Sequence, residues 1–299
     1  MSWIFYAVLA AAVYAITNFI DKYILIRKVK DYRGLIIYSA IISLIFGISY
    51  WIFAGCPLLP PQDALLLIIS GVLTVFGLFF YFRALSIENT STVIILMQFT
   101  PVITLFLSTS FLHEAITIYQ IFGFILILFS IIGISIRKNN FRRYLSVALL
   151  FILFADFLWS CANVLFKFIV LNVSFQQIIP YESTGIFVGG LLLFILSPTI
   201  RKAFLITRHG SSKFALLFIF INEIIFISAK LLSFYAISLG PVALVGVIGS
   251  TQIFFGIIYG LLLNVFTHKI FGEDLSLGGL FKKLGFATIV FSGIWLMQY

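Results

Sequence analysis

Tyr14-Ala15-Ile16-Thr17-Asn18, with Lys22 four residues on, returns 145 positions later as Trp159-Ser160-Cys161-Ala162-Asn163 with Lys167. Three further matches follow in the same order. Ala84-Leu85-Ser86-Ile87 pairs with Ala236-Ile237-Ser238-Leu239 at an offset of 152, and Glu114-Ala115-Ile116-Thr117 with Glu273-Asp274-Leu275-Ser276 at 159. Gly123 and Ser130 then pair with Gly285 and Ser292 at 162. Short apolar strings recur by chance, but four matches in one order describe an internal repeat, with the small steps in offset marking loop insertions.

Composition fixes the environment of that repeat. The chain has 299 residues, 62% hydrophobic and 10% charged, with 36 Phe and a mean hydropathy of +1.19. A soluble domain carries about 25% charged residues, so this composition belongs in a bilayer and excludes a sizeable soluble domain. Ten apolar runs fall at about 3–26, 34–54, 63–82, 91–111, 118–136, 145–169, 177–197, 213–237, 241–263 and 283–298. The first has no basic stretch before it and is too long for a signal peptide, so it is expected to stay in the mature protein. The runs predict an all-α integral membrane protein of ten transmembrane helices, arranged as two five-helix repeats over residues 1–138 and 139–299 in one membrane domain.

Because each half holds an odd number of spans, the two halves must be inverted across the membrane, the plan of many secondary transporters. Basic residues give the orientation. Sixteen Lys and Arg lie in the connections after the first, third, fifth, seventh and ninth runs, against Lys167 alone on the other side. Cytoplasmic loops are enriched in Lys and Arg, so both termini are predicted to lie outside a plasma membrane. The formal charge of +9 is accounted for by these loops, and no nucleic-acid partner is expected. Cys56 and Cys161 form no disulfide framework, and His113, His209 and His268 sit at helix ends or in loops. No metal site or cofactor is expected.

Ionisable side chains inside spans cost about 2.5–3.5 kcal/mol each at the helix centre on insertion scales, so each needs a reason. Asp156 and Glu223 fall near mid-run in the sixth and eighth spans, with Glu182 and Lys230 in the outward halves of the seventh and eighth. Three acids against one base favour proton coupling or a cationic or zwitterionic substrate. Static interhelical hydrogen bonds are the alternative. Asp156, Ser160, Asn163 and Lys167 share one helix face. Glu223 and Lys230 are two turns apart, about 10.8 Å, so Lys230 is expected to find Glu182. Asp156 and Glu223 are expected to line a central polar cavity, at least one of them exchanging a proton during transport. Asn18, Asn163, Asn222, Gln98 and Gln252 offer neutral hydrogen bonds, and Tyr14 and Trp159 apolar walls. Asp21, Lys22 and Lys167 are expected to snorkel from helix ends, and Glu114 and Glu273 to serve helix starts.

The stretch Phe80-Tyr81-Phe82-Arg83-Ala84-Leu85-Ser86, then Thr92 to Thr100, Pro101-Val102 and His113-Glu114-Ala115-Ile116-Thr117-Ile118-Tyr119-Gln120-Ile121-Phe122-Gly123, resembles the signature of the EamA-type drug/metabolite transporters. The second copy, Tyr235 to Val245, is looser, with Ile253 where a proline is expected opposite Pro101. The resemblance implies ten helices around a central cavity and alternating access that moves small metabolites, often outward. Many family members are thought to keep both termini in the cytoplasm, whereas the charge count here places them outside. The expected function is therefore secondary transport of a small-molecule substrate as proton-coupled export. The alternatives are a lipid-carrier flippase on the same fold, and an intramembrane lipid-modifying enzyme. HExxH, GxSxG and P-loop signatures are absent from the chain, which speaks against the enzyme. Partners are thus a small-molecule substrate, protons and membrane lipid.

Overall fold

A computed structural model describes residues 3–29, 31–112, 117–135, 147–266 and 277–296. All regular structure among these residues is helical: α1 Trp3–Arg27, α2 Arg33–Phe53, α3 Pro61–Ile87, α4 Thr90–Leu96, α5 Thr100–Leu112, α6 Ile118–Ser135, α7 Val147–Val170, α8 Phe175–Leu196, α9 Pro198–Gly210, α10 Lys213–Leu239, α11 Val242–Gly249, α12 Gln252–Phe266 and α13 Leu277–Leu296. Among the described residues, eight stretches are long and apolar enough to cross a membrane. They are α1, α2, α3, α7, α8 and α10, together with Thr90–Phe111 and Val242–Leu263. The chain is built as a multi-pass membrane protein.

Local chemistry sets the ends. Pro61 opens α3 at its first helical position, where a missing N–H costs nothing. After α2, Gly55 and Cys56 take positive φ of 79° and 57°. Gly55 N–H reaches Ile52 O at 3.1 Å and Cys56 N–H reaches Trp51 O at 2.9 Å, which closes the helix with a left-handed turn. The third span continues to Ile87, past the sequence boundary at 82, so Ala84-Leu85-Ser86 is helical.

Two features depart from the sequence reading. The connection after α8 is not a plain basic loop but contains α9, whose Ile200, Ala203 and Thr207 are buried while Arg201, Lys202 and Arg208 are exposed. Ser197 caps it by accepting from Ile200 N–H at 3.4 Å, and Pro198 begins it. Such a two-faced helix suits the membrane interface. The fourth and ninth runs are also interrupted: a single 3-10 turn, Met97–Phe99, separates α4 from α5, and Ser250-Thr251 separates α11 from α12. Pro101 has no N–H to return to residue 97, which explains the first break. In the second, Ser250 and Thr251 donate their hydroxyls to Gly246 O at 3.2 Å and Ile248 O at 2.8 Å. That back-bonding bends helices, so the break forms although Ile253 stands where a proline was expected.

Helices pack across the two halves of the chain. α1 lies along α10, α3 along α7 and α8, α2 along α8, and α6 along α13. Small residues allow the closest approaches, as is usual between membrane helices. A Cβ on Gly185 would sit 2.2 Å from Ile68 O, and one on Gly71 2.1 Å from Glu182 O, so α3 and α8 meet backbone to backbone. The basic residues Arg137, Lys138, Arg142, Arg143 and Lys269, the histidines His113 and His268, the acids Glu114 and Glu273, and the 138/139 repeat boundary lie outside the described residues.

Candidate functional site

A cavity of about 190 Å3 lies between α1, α3, α7, α10 and the two interrupted spans. Seven of the eleven candidate side chains named from sequence line it, Tyr14, Asn18, Gln98, Trp159, Asn163, Lys230 and Gln252, while Asn222 does not. The helix breaks are the reason for the contributions of the fourth and ninth spans. Met97, Gln98, Thr100 and Pro101 come from the first break, and Gly246, Gly249 and Gln252 from the second. Irregular backbone at membrane depth is tolerated where it lines a cavity.

The aromatic walls are fixed by packing. Trp159 donates its indole N–H to Thr74 O at 3.2 Å, and the ring occupies space that a Cβ on Gly77 would fill at 2.4 Å. Tyr14 meets Phe226 edge-on with centroids 5.7 Å apart. Each ring is held by a neighbour from another helix.

Lys230 brings the cavity its ammonium. Its Nζ donates to both carboxylate oxygens of Glu182 at 2.5 Å, as the sequence spacing predicted, and lies 5.2 Å from the Phe234 ring centroid. Glu182 is 2% exposed and stands behind Lys230, outside the cavity lining, with the Thr74 hydroxyl 3.4 Å from its Oε1. Gln98 donates its amide to Ile94 O at 2.6 Å, one turn back on its own helix.

Asp156 and Glu223 are corrected by the structure: neither lines the cavity. Asp156 is fully buried, where its Oδ1 accepts from the Thr100 hydroxyl at 2.8 Å and its Oδ2 has no partner among the described residues. It touches the cavity only through Thr100. Glu223 faces α2, accepting from the Ser39 hydroxyl at 2.5 Å. Mid-span position gave their depth but not the side of the helix they occupy.

The three residues expected to snorkel do not. Lys22 donates to Leu85 O at 2.6 Å and Glu88 O at 2.8 Å, at the C-terminal end of α3. Lys167 donates to Ile237 O and Gly240 O, both at 2.9 Å, at the end of α10. Asp21 is 6% exposed and lines the cavity. It accepts from Asn222 Nδ2 at 2.7 Å and lies 3.0 Å from the Tyr81 hydroxyl. Sequence reasoning missed Asp21 and Tyr81 as site residues. The available signal was an acid one turn past Asn18 on the same helix face.

Comparison with known proteins finds one family match and a shared fold. Residues 1–136 match the EamA-like transporter family. A solved crystal structure 16% identical to this chain superposes with a TM-score of 0.62, covering 95% of this chain and 97% of its own, and so shares the fold. No curated protein matches. The EamA-like match, to a family that belongs to the drug/metabolite transporter superfamily, spans the cavity-lining helices α1, α3, α4 and α5.

Proposed function

We propose that this chain is a secondary transporter that moves a small metabolite across the plasma membrane by alternating access, as proton-coupled export. Its body would be ten helices in two inverted five-helix repeats, with both termini outside. The observation that carries this reading is the origin of the cavity wall. Tyr14 and Asn18 face it from the first half, and Trp159 and Asn163, at the same repeat positions, from the second. The breaks at 97–99 and 250–251 overlap at the repeat offset of 152, which carries 97–99 onto 249–251. A central site flanked by repeat-related broken helices is what a rocking mechanism needs, because either half can close over the same ligand.

Within the cavity the Asn and Gln amides and the Lys230 ammonium, held from behind by Glu182, would supply directional polar contacts, and the aromatic rings would bind a ligand's apolar part. A small polar metabolite with an apolar portion fits that lining. Asp156 and Glu223 would act indirectly, through Thr100 and through the Asn222 neighbourhood. Thermal-shift screening of the purified protein against amino acids, nucleosides, polyamines and lipid phosphates, followed by counterflow of any stabilising compound in proteoliposomes, tests the reading. Counterflow of a soluble metabolite that K230M abolishes supports it. Stabilisation by lipid phosphates alone, with lipid movement between leaflets, would replace it with the flippase reading.

A further inference from the structure

Among the described lining residues, Asp21 is the single carboxyl in the cavity wall, and its surroundings have an unusual proton count. The Tyr81 hydroxyl is 3.0 Å from Asp21 Oδ2 and 3.0 Å from Asn18 Oδ1. A phenol has one hydrogen, so it cannot donate to both acceptors at once. Two arrangements fit the same heavy atoms. With Asp21 ionised, Tyr81 donates to it, and Asn18 turns its amide nitrogen toward the phenol oxygen. With Asp21 protonated, the carboxyl donates to the phenol oxygen and the phenol donates to Asn18 Oδ1. One amide rotation interconverts them, and no helix need move.

Two further atoms favour such a switch. Asn18, 5% exposed, has its Nδ2 without a partner, and Asn222, 3% exposed, has its Oδ1 without one, among the described residues. Buried polar atoms are rarely left so. The free Asn18 nitrogen is the one that the ionised arrangement requires. The Asn222 oxygen is an open acceptor on the side chain that already donates to Asp21 Oδ1.

We propose that Asp21 is the proton-exchanging carboxyl of the cavity, with Tyr81 and Asn18 as positioning residues that satisfy both of its protonation states. The assignment builds on the transporter reading and names the residue that would couple it. The proton arrives from cavity water, forms an O–H bond at Asp21 Oδ2, and returns to water when the cavity faces the other side. Other titratable groups near Asp21 are few. From α10 come Glu223, held by Ser39, and Lys230, held by Glu182; from α3 comes Tyr81. Lys22 on α1 is turned to the α3 carbonyls. Neither α4 nor α11 carries a titratable side chain, and α12 brings Tyr259, which lines a separate apolar groove.

Infrared difference spectroscopy of the purified protein during a pH titration reads this directly through the C=O stretch of protonated carboxyls. D156N and E223Q proteins assign the bands of those two acids. The expected result is a titrating band that persists in both and is lost in D21N. Y81F is expected to keep the band and raise its midpoint by about one pH unit, because the phenol donates to the ionised form. A D21N protein that retains every titrating band, or a Y81F protein with an unmoved midpoint, overturns the assignment. This readout needs no substrate, so it fails separately from the transport reading, which fails on the counterflow assay.

Discussion

Lys22 and Lys167 do the same work in opposite halves of the chain: each reaches from its own helix to two carbonyls that end another, Leu85 and Glu88 for Lys22, Ile237 and Gly240 for Lys167. A helix end exposes unpaired carbonyls, and at membrane depth water is scarce. A lysine ammonium satisfies two at once and carries the positive charge that a helix C-terminus favours.

Removing either ammonium should therefore destabilise the protein by similar amounts. We expect K22M and K167M each to lower stability by about 1–3 kcal/mol, the cost of leaving buried acceptors unsatisfied. The two losses should be roughly additive, since the lysines hold the carbonyls of different helix ends. Thermal unfolding followed by size-exclusion chromatography in detergent measures this.

The Lys230–Glu182 pair is expected to be worth more when broken than when replaced. E182Q strands a buried ammonium at about 3–5 kcal/mol, whereas the double replacement K230M/E182Q should recover much of that loss. A double-mutant cycle on unfolding midpoints decides it. If the double variant loses the sum of the singles, the two groups do not act as a pair.

At the α3–α8 seam, G185A places a methyl group against the Ile68 carbonyl. Overpacking of this kind costs about 1–3 kcal/mol, and here the obstacle is backbone, which yields least. Expression level and unfolding midpoint should both fall. By contrast, G210A meets nothing within 4 Å and should leave both unchanged.

The native cysteines test orientation. Cys56 is exposed in the α2–α3 connection, while Cys161 is partly buried within α7. With termini outside, that connection is also outside, so a membrane-impermeant maleimide should label Cys56 in intact cells expressing C161S protein. Labelling only after the membrane is opened would reverse the orientation.

Much of the fold was legible because period and composition leave long apolar helices little choice. The spans around α1, α2, α7 and α8 were read to within a few residues. Three things were not legible, each for a physical reason. The amphipathic helix α9 buries one face against α2 and α8, with Thr207 close to Gly34 on α2, a tertiary fact. The breaks in the fourth and ninth spans are hidden in apolar strings, where Pro101 marks one but only Ser250 and Thr251 mark the other. Most consequentially, depth along the axis is a misleading guide to the site. It selected Asp156 and Glu223, which turn toward Thr100 and Ser39, and passed over Asp21, whose place near the end of α1 suggested snorkelling.

The interrupted spans should matter for motion more than for folding. P101A restores a backbone N–H opposite residue 97, and is expected to keep the protein folded while slowing transport several-fold with little change in apparent affinity. Counterflow rates at varied substrate concentration separate the two. A change confined to affinity would mean that the break shapes the ligand pocket without acting as a hinge.

The most direct measurement is whether the cavity opens to both sides. Ser233 lines it and differs from cysteine by one atom. In a C56S/C161S background, S233C should react with a membrane-impermeant maleimide added to right-side-out vesicles and, separately, to inside-out vesicles. Alternating access predicts labelling from each side. Labelling from one side alone, or from neither, would contradict it.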